Sequence, residues 1–524
     1  MGYVIGVDIG TSSTKAVLFD TAGRQVARCA QRYGLSSPEP GAAEQDPDEI
    51  LRATTQTVAD VVVAARINPN QLLGVSFSAA MHTLLLVDEA NRPLTPLYTW
   101  ADNRSDRFSF IANAKDPQLY QRTGLPAHPM SPVIKLMWLR DQQPDLFSQA
   151  ARVVAIKEYV LWHWCGQWVI DHGMASTTGL LNVRSLNWDA GALALAGISL
   201  PQLSDLVPAM HPLAIRADQA KKMGLPPSIP VIVGASDGVL ANLGVGAIAP
   251  GTAAITLGTS GAVRQVVKQP ITDSDAQLFC YALTQDRWVM GGAVNNGGIA
   301  LQWARDSLVP YSSSPDIFPD VSQNALDKPA QTSPEPTRST YARMTAMARE
   351  ISPGAEGLIF HPYLLGERAP LWDAQARASF FGLGRHHTQA HLVRAVMEGV
   401  LYNMHSVFSA LEAAGGEVSL LRASGGFAHS TLWQQMLSDI FNREILVPKV
   451  IESSALGAAV LALVSLGEWP DFTPVEGCLE VAYKRHPIAE NVKRYQKILP
   501  IYTALLEGFQ SQYASLQQAI SEEG

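Results

Sequence analysis

Hydrophobic residues dominate two short segments at the start of the chain, and a polar turn separates them. Residues 3–10 read YVIGVDIG and residues 15–20 read KAVLFD, and both patterns are typical of β-strands. A tight turn of small residues between two strands predicts a β-hairpin. Asp8 is the exception in this pattern, because it places a carboxylate within an apolar strand.

A helix and a third strand are predicted after the hairpin. Asp46 is followed by Pro47 and Glu49, which predicts a helix with Asp46 as the N-cap, Pro47 at the first helical position and Glu49 in a capping box. Apolar residues then recur at helical spacing up to Ala65, and LLGVSFS at residues 72–78 predicts the next strand. Strands and helices in this order indicate an α/β domain.

The hairpin pattern returns about 250 residues later in the chain. LGTSGAVRQVV, from Leu257, repeats the arrangement of IGTSSTKAVLF, from Ile9: a strand end, Gly-Thr-Ser, a basic residue and a returning strand. The repeat predicts two related α/β domains that face each other. We place the first domain at residues 1–248 and the second at residues 249–524.

Two segments of the second domain have a pattern of their own. Residues 311–339 are rich in Ser and Pro and show no clear period, which predicts a surface excursion. After Pro500, apolar residues at helical spacing predict a closing helix.

Composition excludes several classes of protein. The chain has 39 basic and 47 acidic residues, a net charge of −8, and no dense basic block, which argues against a nucleic-acid partner. Its four cysteines are scattered without zinc-site spacing, as in reduced cytoplasmic proteins. No secretory signal is visible, and glycines divide the uncharged stretch from Gly238 to Val263 into a predicted helix, turn and strand rather than a membrane span.

The turns of both predicted hairpins consist of glycine and small hydroxyl residues. Such a turn offers backbone N–H groups to a phosphate chain without a bulky side chain in the way. The turn residues that we assign to phosphate binding are Gly10, Thr11, Ser12, Gly258, Thr259 and Ser260. Either turn alone is also compatible with an ordinary hairpin, whereas a facing pair could hold a nucleotide polyphosphate from both sides.

Asp8 needs a partner in its strand, because a buried carboxylate that lacks one costs several kcal/mol. A hydrated Mg²⁺ ion or Lys15 would supply that partner. The alternative is that Asp8 caps the turn by accepting backbone N–H bonds.

A double glycine, Gly425-Gly426, stands between an apolar stretch and an amphipathic helix. The absence of side chains there would let a flat ring such as adenine lie against the backbone. An ordinary strand-to-helix turn is equally compatible with this pattern.

Two longer motifs resemble the signature patterns of the FGGY family of carbohydrate kinases. They are MSPVIKLMWLRDQ at residues 130–142, and AxFxGL followed by HLVRAVME at residues 378–398. The resemblance extends over nearly the whole chain. It implies an α/β fold with two ribonuclease-H-like domains of the actin, hexokinase and Hsp70 type around a central cleft, with ATP bound mainly by the second domain and the sugar mainly by the first.

The resemblance also implies roles for individual residues. Asp8, Gly10, Thr11 and Lys15 fall on the first phosphate hairpin, and Asp8 would hold Mg²⁺ through water. The second hairpin would complete the phosphate site, and Gly425 with its neighbour falls on the adenosine site.

Asp237 is the candidate catalytic base. It is the only acidic residue between Asp218 and Asp273, and it stands at the start of a predicted helix whose N–H groups would keep it ionised. Phosphoryl transfer to an alcohol needs a carboxylate that accepts the hydroxyl proton, and the resemblance assigns this role to Asp237. From the residues alone, a helix N-cap is an equally good interpretation.

Polar and aromatic residues after predicted strands of the first half form the candidate acceptor pocket. They are His82, Trp100, Asp102 and Arg104. Each has an alternative interpretation: Trp100 as core packing, Asp102 with Arg104 as a solvated surface pair, and His82 as a loop histidine with satisfied hydrogen bonds.

The segment SFSAAMHTLLLVDEANRPLTPLYTWADNRS is most similar to the gluconokinase branch of the family. This similarity implies ATP-dependent transfer of the γ-phosphoryl group to the primary hydroxyl of a sugar or sugar acid, D-gluconate to 6-phosphogluconate. The alternatives are kinases of xylulose, ribulose or glycerol, and an ATP-dependent switch protein of the actin or Hsp70 kind. We expect a small-molecule partner and a cytoplasmic location without nucleic acid or membrane, and a homodimer is left open.

The carboxylate of gluconate would need a cation in the protein. Arg104, Lys157 and Arg368 are the candidates, and the sequence does not distinguish among them. Arg368 has the alternative of a structural ion pair with Glu367 or Asp373.

Overall fold

The computed structural model describes residues 2–309, 340–449 and 452–521. The strands are β1 Tyr3–Ile9, β2 Ser13–Asp20, β3 Gln25–Arg32, β4 Glu44–Gln45, β5 Leu72–Ala79, β6 Leu85–Val87, β7 Leu97–Tyr98, β8 Arg152–Val154, β9 Val169–Asp171, β10 Leu181–Asn182, β11 Asn187–Trp188, β12 Asp205–Val207, β13 Pro212–Ala214, β14 Pro230–Ser236, β15 Thr252–Leu257, β16 Gly261–Val267, β17 Phe279–Ala282, β18 Trp288–Val294, β19 Ile359–His361, β20 Ser379–Phe381, β21 Leu420–Ser424, β22 Glu444–Pro448 and β23 Val481–Arg485. The helices are α1 Pro47–Ala65, α2 Asp106–Lys115, α3 Leu119–Thr123, α4 Pro132–Gln142, α5 Pro144–Ser148, α6 Ile156–Cys165, α7 His172–Ser176, α8 Ala190–Ala196, α9 Ala217–Met223, α10 Asp237–Gly244, α11 Gly298–Leu308, α12 Thr340–Glu350, α13 Gln389–Gly415, α14 Thr431–Phe441, α15 Ser453–Ser465, α16 Val475–Cys478 and α17 Ala489–Ser521. The predicted excursion at residues 311–339 lies outside the described residues.

Two mixed sheets repeat one strand order. In the first sheet β3, β2 and β1 are antiparallel, β5 and β14 run parallel to β1, and β13 is antiparallel to β14 at the edge. In the second sheet β18, β16 and β15 correspond to β3, β2 and β1, while β21, β22 and β23 correspond to β5, β14 and β13. The predicted α/β fold is confirmed, and the repeat extends from the hairpins to whole sheets.

The first helix begins where the sequence predicts it. The Asp46 side chain accepts hydrogen bonds from the backbone N–H groups of Asp48, at 2.8 Å, and Glu49, at 3.3 Å. Pro47 opens the helix, which needs no N–H donor at that position. The helix then packs its apolar face on β2 and β3 and covers one side of the first sheet.

Two helices, α10 and α15, cross between the two sheets, and their backbones lie in direct contact. A Cβ atom on Gly457 would lie 2.1 Å from the carbonyl oxygen of Leu240 in α10, and one on Gly6 in β1 would lie 2.0 Å from that of Ala455. Glycine is therefore required at both contacts. Helix α15 comes from the predicted second domain but packs on the first sheet, so the two halves of the chain share a core. The division of the chain into two domains at residue 248 stays a prediction.

The closing helix differs from the prediction in its start. It begins at Ala489 and continues through Pro500, which removes one helical hydrogen bond. Tyr495 and Tyr502 are buried on either side of the proline, and the Tyr495 hydroxyl donates to Glu398 at 2.7 Å. These contacts hold the helix in place despite the proline. Within the described ranges, no helix has the length and apolar character needed to cross a membrane.

Candidate active site

The parallel strands of the first sheet end together at one edge. Ile9 of β1 is the register partner of Ala79 in β5, and Ala79 is the partner of Ser236 in β14. The residues that follow these strands, among them the turn at 10–12 and Asp237, therefore lie side by side. In open α/β sheets, ligands bind at this carboxyl edge.

The second sheet has the same arrangement at its own edge. Thr256 of β15 is the register partner of Ser424 in the parallel strand β21. This register brings the turn at 258–260 next to Gly425 and Gly426. A cleft of about 330 Å³ lies between the two edges, and its lining includes turn and loop residues of the first half, strand residues of the second sheet, and residues of α10 and α15.

The first turn leaves two of its three N–H groups without an acceptor among the described residues. Gly10 donates its N–H to the Ser13 carbonyl at 3.0 Å, and the Thr11 carbonyl accepts the Gln45 side-chain amide at 2.7 Å. The N–H groups of Thr11 and Ser12 have no acceptor among the residues that the structure describes. The turn therefore has the free donors that a phosphate oxygen requires.

The second turn lies against the start of α11. The carbonyls of Gly258 and Thr259 accept N–H bonds from Gly298, at 2.7 Å, and Gly297, at 3.1 Å. A Cβ atom on Gly297 would lie 2.7 Å from the Ser260 backbone, so only glycine allows this approach. The turn is thus held through its carbonyls, as the first turn is.

The double glycine forms an open patch beside the second turn. Gly425 has φ +110°, and a Cβ atom there would lie 2.4 Å from the carbonyl oxygen of Leu257. No atom of the described residues lies within 4 Å of the Cβ position of Gly426, and both glycines are exposed. The patch is accessible to a flat ring, as predicted for adenine.

Asp8 lies half-buried at the end of β1. The Ser78 hydroxyl donates to its carboxylate at 2.8 Å, and burial raises the pKa of Asp8, although the charge of Lys15 opposes this. Lys15 is the cross-strand neighbour of Asp8, but its ammonium group pairs with Glu452 at 2.7 Å. Phosphate binding by Lys15 stays a prediction that its location does not support, because its charge is paired with a carboxylate and it does not line the cleft in the described part of the chain.

Asp237 is the first residue of α10 and lines the cleft. Its carboxylate accepts the Gly238 N–H at 2.7 Å. Burial, and to a smaller extent the nearby charge of Asp8, raise the pKa of Asp237 to about 6 against the opposing charge of Arg264. Backbone N–H groups lower the pKa, as expected at a helix start, but burial outweighs them. About nine-tenths of the carboxylates remain ionised at pH 7, which suits a general base.

His82 lies in a strained turn after β5, with φ +60°. Its Nδ1 atom is 2.7 Å from the Thr177 carbonyl oxygen, so Nδ1 carries the proton. Nε2 is then an acceptor, 3.4 Å from the Tyr281 hydroxyl. Burial lowers the pKa of His82 to about 3, so the ring is neutral at pH 7 and lines the cleft as a hydrogen-bonding group.

Trp100 also lines the cleft and connects it to the first turn. Its indole N–H donates to the Thr11 hydroxyl at 3.1 Å, and the guanidinium carbon of Arg368 lies 4.9 Å from the ring centroid. The ring is therefore fixed in place at one end of the cleft. Sugar binding by His82 and Trp100 stays a prediction that their location supports.

Asp102 and Arg104 do not line the cleft in the part of the chain that the structure describes. Asp102 is fully buried and accepts the Ala43 N–H at 3.0 Å, and it pairs with Arg104 at 2.6 Å. The remaining donors of Arg104 reach Glu39 at 2.8 Å and Glu44 at 2.5 Å. Substrate contact by these two residues is therefore a wrong prediction, since their polar groups are used within one network.

Two functional candidates were missed from the sequence, Arg264 and Tyr281. Both lie near Asp237, whose charge affects the pKa of each. Arg264 is the basic residue of the second hairpin, and the repeat suggested that it corresponds to Lys15. The registers differ, however: four residues separate Ile9 from its partner Thr14, whereas three separate Leu257 from its partner Gly261. Arg264 therefore pairs with Ala254, three residues before the end of β15.

Comparison with known proteins agrees with this geometry. Models of the N-terminal and C-terminal domains of the FGGY family of carbohydrate kinases match residues 3–244 and 253–466. A gluconokinase of Bacillus subtilis (strain 168) is 41% identical over 519 residues, which are 98% of this chain and 97% of that protein.

Two solved structures from Lactobacillus acidophilus have similar folds. A gluconate kinase and a ligand-bound xylulose kinase are each 34% identical to this chain, with TM-scores of 0.90. The match covers 98% of this chain in both cases, and 99% and 100% of those chains. Sequence motifs, sheet repeat and family models agree, and the chain belongs to the FGGY family of carbohydrate kinases.

Proposed function

We propose that the protein transfers the γ-phosphoryl group of ATP to the C6 hydroxyl of D-gluconate, giving 6-phosphogluconate. As a member of its family the chain is a phosphotransferase with an alcohol acceptor and uses ATP as a substrate. The location of Asp237 in a cleft that is also lined by Thr11 of the first turn and Ser260 of the second is the observation that best supports the chemistry. The similarity to a gluconokinase over 98% of the chain supports the acceptor.

The chain's own residues account for the transfer step. The turns at 10–12 and 258–260 hold the phosphate chain through backbone N–H groups. Asp237 accepts the proton of the acceptor hydroxyl as that oxygen bonds to phosphorus. Because the pKa of Asp237 is about 6, the carboxylate is ionised at pH 7 yet basic enough to take the proton.

The residues also fit a magnesium ion bound through water. Among the described residues no three His, Cys, Asp or Glu side chains form a metal-binding group, so protein side chains alone would not bind it. Mg²⁺ typically keeps several waters and uses one or two carboxylates together with substrate phosphates. Asp8 would hold the hydrated ion, which would neutralise charge on the phosphates.

A second acceptor class has support from one of the solved structures. The ligand-bound xylulose kinase is as similar in fold as the gluconate kinase. A panel of D-gluconate, D-xylulose, D-ribulose and glycerol, measured by ADP release with MgATP, distinguishes the two. We expect kcat/KM for gluconate to exceed that for each other acceptor by at least tenfold, and equal values for xylulose and gluconate would refute the proposal.

A nucleotide-dependent switch protein would behave differently in the same assay. It would hydrolyse ATP slowly at a rate independent of every sugar, and Asp237 would be dispensable. The cytoplasmic location and a homodimeric assembly stay predictions.

A further inference from the structure

Two arginines that line the cleft have no carboxylate partner within ion-pair distance among the residues that the structure describes. Arg264 of β16 and Arg368 are each 8% exposed, and the Nε atom of each is buried without a hydrogen-bond partner. Neither guanidinium forms an ion pair within the described residues. Burying an unpaired charge costs several kcal/mol, so this pair is expensive for the protein alone.

The surroundings of the two arginines supply little compensation. Arg368 donates to the Val294 carbonyl at 3.2 Å and lies over the Trp100 ring. Arg264 lies against the first turn of α10, where a Cβ atom on Gly238 would be 3.2 Å from its Nη2 atom. Burial lowers the pKa of both groups, and that of Arg368 is about 10. Arginine side chains keep their charge in proteins at pH 7.

The other cations considered for a substrate carboxylate are already used. Lys157 is fully buried and pairs with Asp171, and Arg104 pairs with three carboxylates outside the cleft. The alternative that Arg368 pairs with Glu367 is not observed, because only the Arg368 backbone N–H reaches that carboxylate. Among the described residues no carboxylate forms an ion pair with either guanidinium, although the charge of Asp237 favours the charged form of Arg264. Both guanidinium groups are therefore available to an anion from solution.

The position of the pair favours the acceptor over the nucleotide. Arg264 is opposite Ala254, three residues and so about 10 Å along the strand from the end that bears the phosphate turn. Arg368 lies over Trp100, at the wall shared with the neutral His82. A six-carbon sugar acid places its carboxylate about 6 Å from its terminal hydroxyl carbon, judged from C–C bonds of about 1.5 Å.

We propose that Arg264 and Arg368 together bind the carboxylate of a sugar acid and thereby set the preference for sugar acids over neutral sugars. The inference rests on the proposed function and adds the residues that recognise this class of acceptor. Two guanidinium groups can form charge-assisted, forked hydrogen bonds with one carboxylate. The buried, unpaired charges would then be neutralised only when a sugar acid is bound.

The test compares D-gluconate with D-gluconamide, in which a neutral amide replaces the carboxylate. For the unmodified protein we expect kcat/KM for gluconamide to be at least about 30-fold lower. Arg264→Gln and Arg368→Gln should lower kcat/KM for gluconate by at least about 30-fold and for gluconamide by less than threefold. Arg107→Gln, at an exposed arginine that pairs with Asp141, is the matched control and should change neither value.

Different outcomes separate the two proposals. Equal use of gluconate and gluconamide by the unmodified protein overturns the inference without any variant, so misfolding of a variant does not leave it untested. An equal loss on both acceptors, together with weaker ADP binding by calorimetry, would mean that the arginines bind phosphate and would also overturn it. A preference for xylulose over gluconate would instead refute the proposed function.

Discussion

Asp237→Asn should make the protein more stable at neutral pH, because the buried carboxylate is costly. Its pKa is raised from 3.8 to about 6, so the folded state binds the proton more tightly than the unfolded state does. The full pKa difference between the folded and the unfolded state corresponds to about 3 kcal/mol of folding free energy, at about 1.36 kcal/mol for each pKa unit. Because Asp237 is only partly buried, solvent reduces this to about 1–2 kcal/mol.

The sign of this effect depends on pH in a defined way. Well below pH 3.8 Asp237 is protonated in both states, and well above pH 6 it is ionised in both. The advantage of Asn should therefore be small near pH 4, grow as the pH rises to about 7, and then stay constant. For a chain of this size, 1–2 kcal/mol raises the Tm by about 1–2 °C.

Differential scanning fluorimetry of both proteins between pH 4.5 and 8 measures this directly. Asp141→Asn, at an exposed aspartate paired only at the surface, is the control and should show no pH-dependent difference. A Tm of Asp237→Asn below that of the unmodified protein at pH 8 would refute the reasoning. An advantage of equal size at pH 4.5 and pH 8 would also refute it, since it would not arise from ionisation.

Three further predictions follow from the geometry. Between pH 8 and pH 5, kcat/KM for gluconate should fall about tenfold as Asp237 is protonated, and a flat profile in initial-rate assays would contradict this. Gly457→Val should lower stability by about 3 kcal/mol or more, because its side chain would meet the Leu240 carbonyl between the crossing helices, and an unchanged Tm would contradict that contact. Arg104→Gln should lower the Tm, because it leaves Asp102 buried without its cation, yet keep KM for gluconate within threefold; a large rise in KM at unchanged Tm would restore the original prediction of substrate contact.

Features that depend on neighbouring residues were predictable from the sequence. The hairpins, their Gly-Thr-Ser turns and the Asp46 cap each depend on fewer than about 15 consecutive residues, and the structure has all three. The position of Asp237 at a helix start was also local information. The raised pKa of Asp237 could not be predicted from neighbouring residues, because it depends on burial by both halves of the chain.

Predictions failed, or were not made, for features that depend on residues far apart in the sequence. Arg104 is bound by Glu39 and Glu44, at least 60 positions earlier, and no local pattern reveals these partners. Arg264 and Arg368 meet because the sheet order brings β16 to a loop about 100 residues further along the chain. Pro500 was interpreted as a helix boundary, but tertiary contacts outweigh its local effect.

The central claim is that Asp237 takes the acceptor proton beside a phosphate chain held by the two turns. Rapid-quench measurement of 6-phosphogluconate formed in a single turnover, with Asp237→Asn at saturating MgATP and gluconate, tests it most directly. We predict a rate at least 100-fold below that of the unmodified protein, with the Kd for ATP changed less than threefold. A rate within tenfold of the unmodified protein would contradict the claim.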